Sequence, residues 1–135
     1  MRGASALQPI LDASPGAPIR TLVVWEPVIW SDVAPPTSSV LALLRDRRAR
    51  QFWDPDRAVS RDIVRSINAE PGRYGFDAPL AEEFIVWDVV AVFPPGAVWD
   101  DGDLPVPTYY DGPVAYRTEP LASAVARALG AGGAP

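Results

Sequence analysis

The sequence contains no cysteine, no histidine and no lysine. Without cysteine there is no disulfide, no thiol nucleophile and no zinc site built on thiolates. Without histidine the chain also lacks the side chain that most often serves as an acid–base group or metal ligand near neutral pH. All 12 basic residues are arginine, which together with the many Ala, Pro and Gly residues is typical of a GC-rich coding sequence. These absences exclude thiol–disulfide exchange.

The overall composition indicates one globular domain. The chain has 135 residues, of which 48% are hydrophobic and 21% charged, as is usual for soluble proteins. The net charge of -5 disfavours binding of nucleic acid or of an anionic membrane through bulk electrostatics. No apolar run reaches the roughly 20 residues that span a bilayer. The N-terminus has no continuous apolar stretch of the kind found in a secretory signal, so we expect a cytoplasmic location.

The first half of the chain predicts two strands, each followed by a helix. Thr37 or Ser38 can cap the first helix, and Asp54-Pro55 is a strong start signal for the second. The predicted elements are a strand beginning in residues 21–29 and limited by Pro27, a strand in residues 49–53, and a second helix that runs to about residue 68 with Val59, Ile63 and Ile67 facing inward.

Residues 84–93 are the most hydrophobic strand candidate, and their near-continuous apolar character predicts burial on both faces. Asp88 interrupts this run. A carboxylate on a buried strand is costly unless it is paired or protonated. Asp88 is therefore either a structural residue, paired with an arginine such as Arg50 or placed at a strand end in water, or an acid–base group.

Residues 104–117 predict a strand that starts on a proline, a tight hairpin at Asp111-Gly112 and a return strand. Thr118 then caps a final helix, and Gly130 ends it. Leu121, Val125 and Leu129 form the apolar stripe of this helix.

This closing segment resembles the thioredoxin pattern of a cis-proline corner, an apolar strand, a glycine turn, a second strand and an amphipathic helix. Val106-Pro107-Thr108 takes the place of the proline corner. At the front, Trp30 takes the place of the tryptophan in the thioredoxin W-C-x-x-C motif, with Ser31 and Ala34 where the two cysteines belong. The W-E-P, Q-F-W-D and F-P-P-G motifs are also similar to those of uncharacterised bacterial thioredoxin-like proteins.

The resemblance implies a thioredoxin-like three-layer α/β/α sandwich with a mixed sheet, in the order βαβαβββα. The domain would span residues 20–130, after a flexible N-terminal arm at 1–19 and before a disordered tail at 131–135. Residues 84–93 would be a strand that thioredoxin lacks. A serine in place of the nucleophilic cysteine does not rescue the reaction, because an un-ionised hydroxyl without a base is a far weaker nucleophile.

The leading functional hypothesis is a redox-inactive thioredoxin-like domain that binds a protein or peptide at the former active-site groove. The resemblance implies that this groove is formed by Trp30, Ser31, Asp32, Val106, Pro107 and Thr108. No cofactor, metal, nucleic acid or membrane is expected.

Two alternatives from other classes remain open. The chain could be a non-thiol enzyme that uses Asp88 or the acidic turn at residues 100–103, with a divalent metal as one version of that hypothesis. It could instead be a structural subunit, such as one half of a homodimer, that buries an aromatic surface between copies.

Overall fold

The computed structural model describes residues 2–100 and 102–132, and these residues form a mixed α/β fold. The helices are α1 (Arg2–Asp12), α2 (Ser38–Leu41), α3 (Ala58–Ala69) and α4 (Thr118–Ala131). The strands are β1 (Thr21–Trp25), β2 (Ala49–Trp53), β3 (Val90–Val92) and β4 (Tyr109–Asp111). Short 3₁₀ turns lie at Pro71–Tyr74 and Val114–Tyr116. The predicted α/β class is confirmed.

The strands of the described residues pair in two separate sheets. β1 and β2 are parallel, with Thr21 opposite Ala49 and Trp25 opposite Trp53. β3 and β4 are antiparallel, and Val92 lies opposite Tyr109. The sequence predicted one mixed sheet between helices, so the thioredoxin-like sandwich is not confirmed. No helix in residues 2–100 or 102–132 combines the length and the hydrophobicity that crossing a bilayer requires.

Two predicted strand features in the second half are wrong. Only Val90–Val92 of residues 84–93 form a strand, because the backbone at Asp88 adopts a left-handed conformation with φ 52°, which no extended strand permits. The hairpin at Asp111-Gly112 is also absent. The strand before it pairs with β3, and the expected return strand is the 3₁₀ turn Val114–Tyr116.

The N-terminal residues differ from the flexible arm that their Pro, Gly and Ala content predicted. α1 packs against the turn Val114–Tyr116 and against α4, and it buries Ala4 and Leu11. Gly3 permits this approach, because a Cβ there would lie 2.8 Å from Asp88 Oδ1 and 3.3 Å from Val114 Cβ. Of the predicted tail at 131–135, Ala131 ends α4, and residues 133–135 lie outside the described part of the chain.

One cluster of buried apolar residues joins α3 to the segment before β4. Ile67, Tyr74 and Leu104 are buried together, and Ile63, Phe76, Leu80 and Phe93 pack against them. The Tyr74 hydroxyl donates a 2.7 Å hydrogen bond to the carbonyl oxygen of Leu104. The cluster therefore holds the 3₁₀ turn Pro71–Tyr74 and the irregular residues 75–80 against α3.

Arg48 fastens the segment after α1 to the start of β2. Its guanidinium donates to the carbonyl oxygens of Leu11, Ser14 and Ala17, at 2.7, 2.6 and 3.2 Å. It also forms an ion pair with Asp46 at 2.6 Å. We refer to these contacts as the Arg48 clamp.

Asp46→Asn should make the stability of the protein less dependent on pH in the acid range. The hydrogen bonds from Arg48 lower the pKa of Asp46 from 3.8 to about 2. A carboxylate with a lowered folded-state pKa stabilises the protein fully above its ordinary pKa, and the stabilisation is lost as the pH falls through about 2. We expect urea midpoints to fall between pH 4 and pH 2 by a smaller amount in the variant than in the wild type. Parallel pH profiles would contradict the assignment.

Candidate interaction surface

One face of the β1–β2 sheet is open to solvent. In a parallel pair, residues opposite each other project to the same side, and alternate residues project to opposite sides. Leu22 lies opposite Arg50, and Val24 lies opposite Phe52. Leu22 is 62% exposed and Phe52 is 51% exposed. We call these four residues the sheet face.

The other side of the same sheet is covered. The Gln51 side-chain amide donates to the carbonyl oxygens of Leu41 and Leu44, at 2.9 and 3.2 Å. Its oxygen accepts the indole N–H of Trp25 at 3.1 Å. The segment around α2 therefore packs against this inner side. Parallel sheets are normally covered on both faces, so the exposure of the sheet face is unusual.

The loop that follows β1 presents a second group of exposed apolar side chains. Trp30 is 92% exposed and Val33 is 85% exposed. The Asp32 carboxylate accepts the backbone N–H groups of Ile29 and Val28, at 3.1 and 3.0 Å, and these hydrogen bonds lower its pKa. We call residues 28–33 the Trp30 loop. Its backbone is fixed by Asp32, whereas the side chains of Trp30 and Val33 are exposed.

The residues of the predicted groove lie in two segments that adjoin strands of different sheets. Trp30, Ser31 and Asp32 follow β1, whereas Val106, Pro107 and Thr108 lead into β4 of the other sheet. No hydrogen bond joins the two groups among the described residues. Thr108 instead donates its N–H and its hydroxyl to the carbonyl oxygen of Val92, at 2.8 and 3.0 Å.

The proline corner also differs from the prediction. The only cis peptide bond within the described residues joins Gly112 to Pro113. Val106–Pro107, where the thioredoxin resemblance implied a cis bond, is therefore trans.

Asp88 is not on a buried strand but in water, two residues before β3. It is exposed and lies outside any strand. Its Oδ1 accepts the backbone N–H of Val114 at 3.3 Å, and its own carbonyl oxygen accepts the same N–H at 3.2 Å. The expected pairing with Arg50 is not among the ion pairs of the described residues. Asp88 is thus a turn residue that contacts the turn Val114–Tyr116.

The acidic turn at residues 100–103 is only partly described, because Asp101 lies outside the described residues. The Asp103 carboxylate forms an ion pair with Arg73 at 2.9 Å. Within the described part of the chain, no three or more Asp, Glu, His or Cys side chains are grouped so that they could hold a metal ion.

Two shallow concavities on the described surface include neither the sheet face nor the Trp30 loop. One, of about 260 Å³, lies between the end of β3 and α4 and is lined by Pro94, Pro95, Thr108 and Arg127 with small residues of α4. The other, of about 400 Å³, is lined by Gln8, Asp12, Ala42, Leu43 and Arg45. Small-molecule sites are usually deeper and more enclosed.

A polar cluster that was not predicted from the sequence lies directly after β1 and centres on the buried Ser60. Glu26, directly after β1, accepts the backbone N–H and the hydroxyl of Ser60 in the first turn of α3, at 3.0 and 2.5 Å. The Ser60 hydroxyl accepts the N–H of Val86 at 3.0 Å. The only signal in the sequence was a serine on the inward side of an amphipathic helix. This group connects β1, α3 and residues 82–89.

Comparisons with protein-family models, with curated proteins and with solved structures found no match to this chain. The geometry of the described residues is therefore the basis for the functional proposal.

Proposed function

We propose that this chain is a protein-binding module whose contact surface consists of the sheet face and the Trp30 loop. The observation that carries the proposal is the exposed apolar side of a parallel sheet whose inner side is covered. Large apolar side chains grouped on a surface are typical of protein interfaces. A partner that covers Leu22 and Phe52 would complete the burial that parallel strands normally have.

The Trp30 loop suits the centre of such an interface. Tryptophan is among the residues most enriched at binding hot spots. Because Asp32 already fixes the loop backbone through Val28 and Ile29, binding would cost little additional backbone entropy. The loop follows the carboxyl end of β1, the end at which open α/β sheets commonly bind their ligands.

We propose a thioredoxin-like relation only for the front of the chain, from β1 to β2. The parallel β1–β2 pair and the tryptophan loop after β1 are in keeping with it. The back of the chain gives it no support, because Val106, Pro107 and Thr108 lead into β4 of the other sheet. The enzyme alternative has no support from Asp88, which is exposed and engaged with Val114.

We expect Trp30→Ala combined with Phe52→Ser to abolish partner binding without unfolding the protein, since Trp30 is 92% exposed and Phe52 is 51% exposed. Loss of hot-spot contacts should reduce the amount of a specific partner captured on immobilised protein at least about tenfold. Capture from cell extract, quantified by mass spectrometry, gives the ratio to the wild type.

Tyr116→Ala is the matched control, because Tyr116 is 72% exposed but lies outside the proposed surface. It should capture as much partner as the wild type. Equal capture by the wild type, the control and the double variant would refute the proposed surface.

A further inference from the structure

A second exposed apolar surface lies in residues 82–89, which we call the acidic segment. Phe84, Trp87 and Val89 are 48%, 63% and 46% exposed. Glu82 and Glu83 are exposed and have no hydrogen bond or ion pair among the described residues. The acidic segment therefore combines unburied aromatic side chains with unpaired negative charge.

The local sequence of this segment favours a β-strand that the chain does not form. Residues 84–89, FIVWDV, consist almost entirely of the β-branched and aromatic residues that prefer strands. In the structure they are irregular, and the strand begins only at Val90. The acidic segment thus has strand propensity with no strand beside it.

The sheet face has the opposite charge. Arg50 lies on it between Leu22 and Phe52, and Arg20 and Arg47 precede β1 and β2 at the same end of the sheet. The side chains of these three arginines are exposed and have no hydrogen bond or ion pair among the described residues. The sheet face and the acidic segment are thus both apolar, and they bear unpaired charges of opposite sign.

The edge of β1 is also open. The N–H of Thr21 donates to Arg48, and the carbonyl oxygen of Trp25 accepts from Asp54, so the odd-numbered residues of β1 point their backbone groups toward β2. The backbone groups of Leu22 and Val24 therefore point away from β2. They have no hydrogen-bond partner among the described residues. Such an edge accepts an added strand.

We propose that the acidic segment of one copy docks along the sheet face and the β1 edge of a second copy of this chain. This inference rests on the proposed function and names the partner of the same surface. Trp87 would cover Leu22 and Phe52, while Glu82 and Glu83 would pair with the arginines at the end of the sheet.

The partner is a second copy because one chain carries both complementary surfaces and covers neither. Val86 is held at the first turn of α3 through Ser60, and in that position the acidic segment and the sheet face are exposed at the same time. Contact between them therefore occurs between chains. An unrelated acidic protein is the competing occupant, and the experiment separates it from the second copy.

The test is charge reversal followed by mixing. Arg20→Glu with Arg50→Glu makes both surfaces of one variant acidic, and Glu82→Arg with Glu83→Arg makes both surfaces of the other basic. Sedimentation equilibrium should give wild-type self-association that weakens with added salt, and at least about a tenfold weaker association for each variant alone. An equimolar mixture of the two variants should associate again, because both contacts between them join opposite charges.

Arg127→Glu and Glu119→Arg are matched controls, since both residues are exposed and lie outside the two surfaces. They should associate like the wild type, and circular dichroism should give the native spectrum for every variant. A monomeric wild type at millimolar concentration, or variants that do not associate when mixed, would overturn the second copy as partner.

Failure of this inference is distinguishable from failure of the proposed function. If the wild type is monomeric but Trp30→Ala with Phe52→Ser still loses a captured protein, the surface binds another partner and only the inference is overturned. If capture is also unchanged, both are overturned.

Discussion

Replacing Glu26 by alanine should lower the free energy of unfolding by about 2–4 kcal/mol, because the substitution removes both acceptors of Ser60. The Glu26 carboxylate accepts the backbone N–H of Ser60 at 3.0 Å and its hydroxyl at 2.5 Å. Ser60 is 2% exposed, so water cannot replace the lost acceptors. Urea denaturation of the variant and the wild type measures the difference.

A double-mutant cycle with Ser60→Ala tests whether the three groups act as one network. Ser60→Ala removes the hydroxyl that donates to Glu26 and accepts from Val86. Because the two substitutions disrupt shared hydrogen bonds, the double variant should lose clearly less stability than the sum of the single losses. Glu26→Gln, which keeps one carbonyl acceptor, should lose less than Glu26→Ala. Additive losses would contradict the network.

Leu121→Ala should cost about 2–5 kcal/mol, the range found when a buried leucine leaves a cavity. Leu121 is 2% exposed and lies on α4, which contacts both α1 and β3. A loss of this size is a large part of the stability of an ordinary domain. Thermal and urea denaturation should both give a lower midpoint for the variant.

Leu43→Ala is the matched control for this substitution, since Leu43 is 41% exposed. It removes the same atoms from a position that water already reaches, so its cost should stay well below that of Leu121→Ala. Equal losses for the two variants would mean that α4 is not part of the core.

Elements with local signals were predicted well from the sequence. The apolar run after Arg20 and the short run at residues 49–53 are β1 and β2, and the latter has the predicted bounds. Asp54 was predicted to serve the start of α3, and its carboxylate accepts the N–H of Val59 at 2.8 Å. These signals lie within a few residues of the structure they determine, so a single sequence contains them.

The features that were predicted wrongly depend on contacts distant in the chain. The run at residues 84–93 has strand propensity, but a strand needs a partner, and only Val90–Val92 find one in β4. The composition of residues 1–19 predicted a flexible arm, whereas α1 is a packed helix. The surface that α1 packs against, which includes Val114, lies near the other end of the chain, so the local sequence gives no sign of it. Local propensity does not reveal such distant partners.

The candidate surface could be predicted only in part. Trp30 was singled out from the sequence, and its exposure is in keeping with a binding role. The sheet face was missed, because a run such as TLVVW is typical of a strand buried on both sides. Pairing with ARQFW places Arg50 and Phe52 beside Leu22 and Val24, and that arrangement depends on register.

The position of α1 has a consequence for the order in which the domain assembles on the ribosome. α1 is synthesised before the turn Val114–Tyr116 and α4, against which it packs. Contacts so far apart in sequence require a long loop to close, so they form late. A nascent chain that has reached β2 can hold α1 through the Arg48 clamp and through the Arg45 N–H, which donates to the Gln8 side chain at 2.7 Å. The surface that α1 packs against therefore becomes available only when the turn Val114–Tyr116 and α4 have been synthesised.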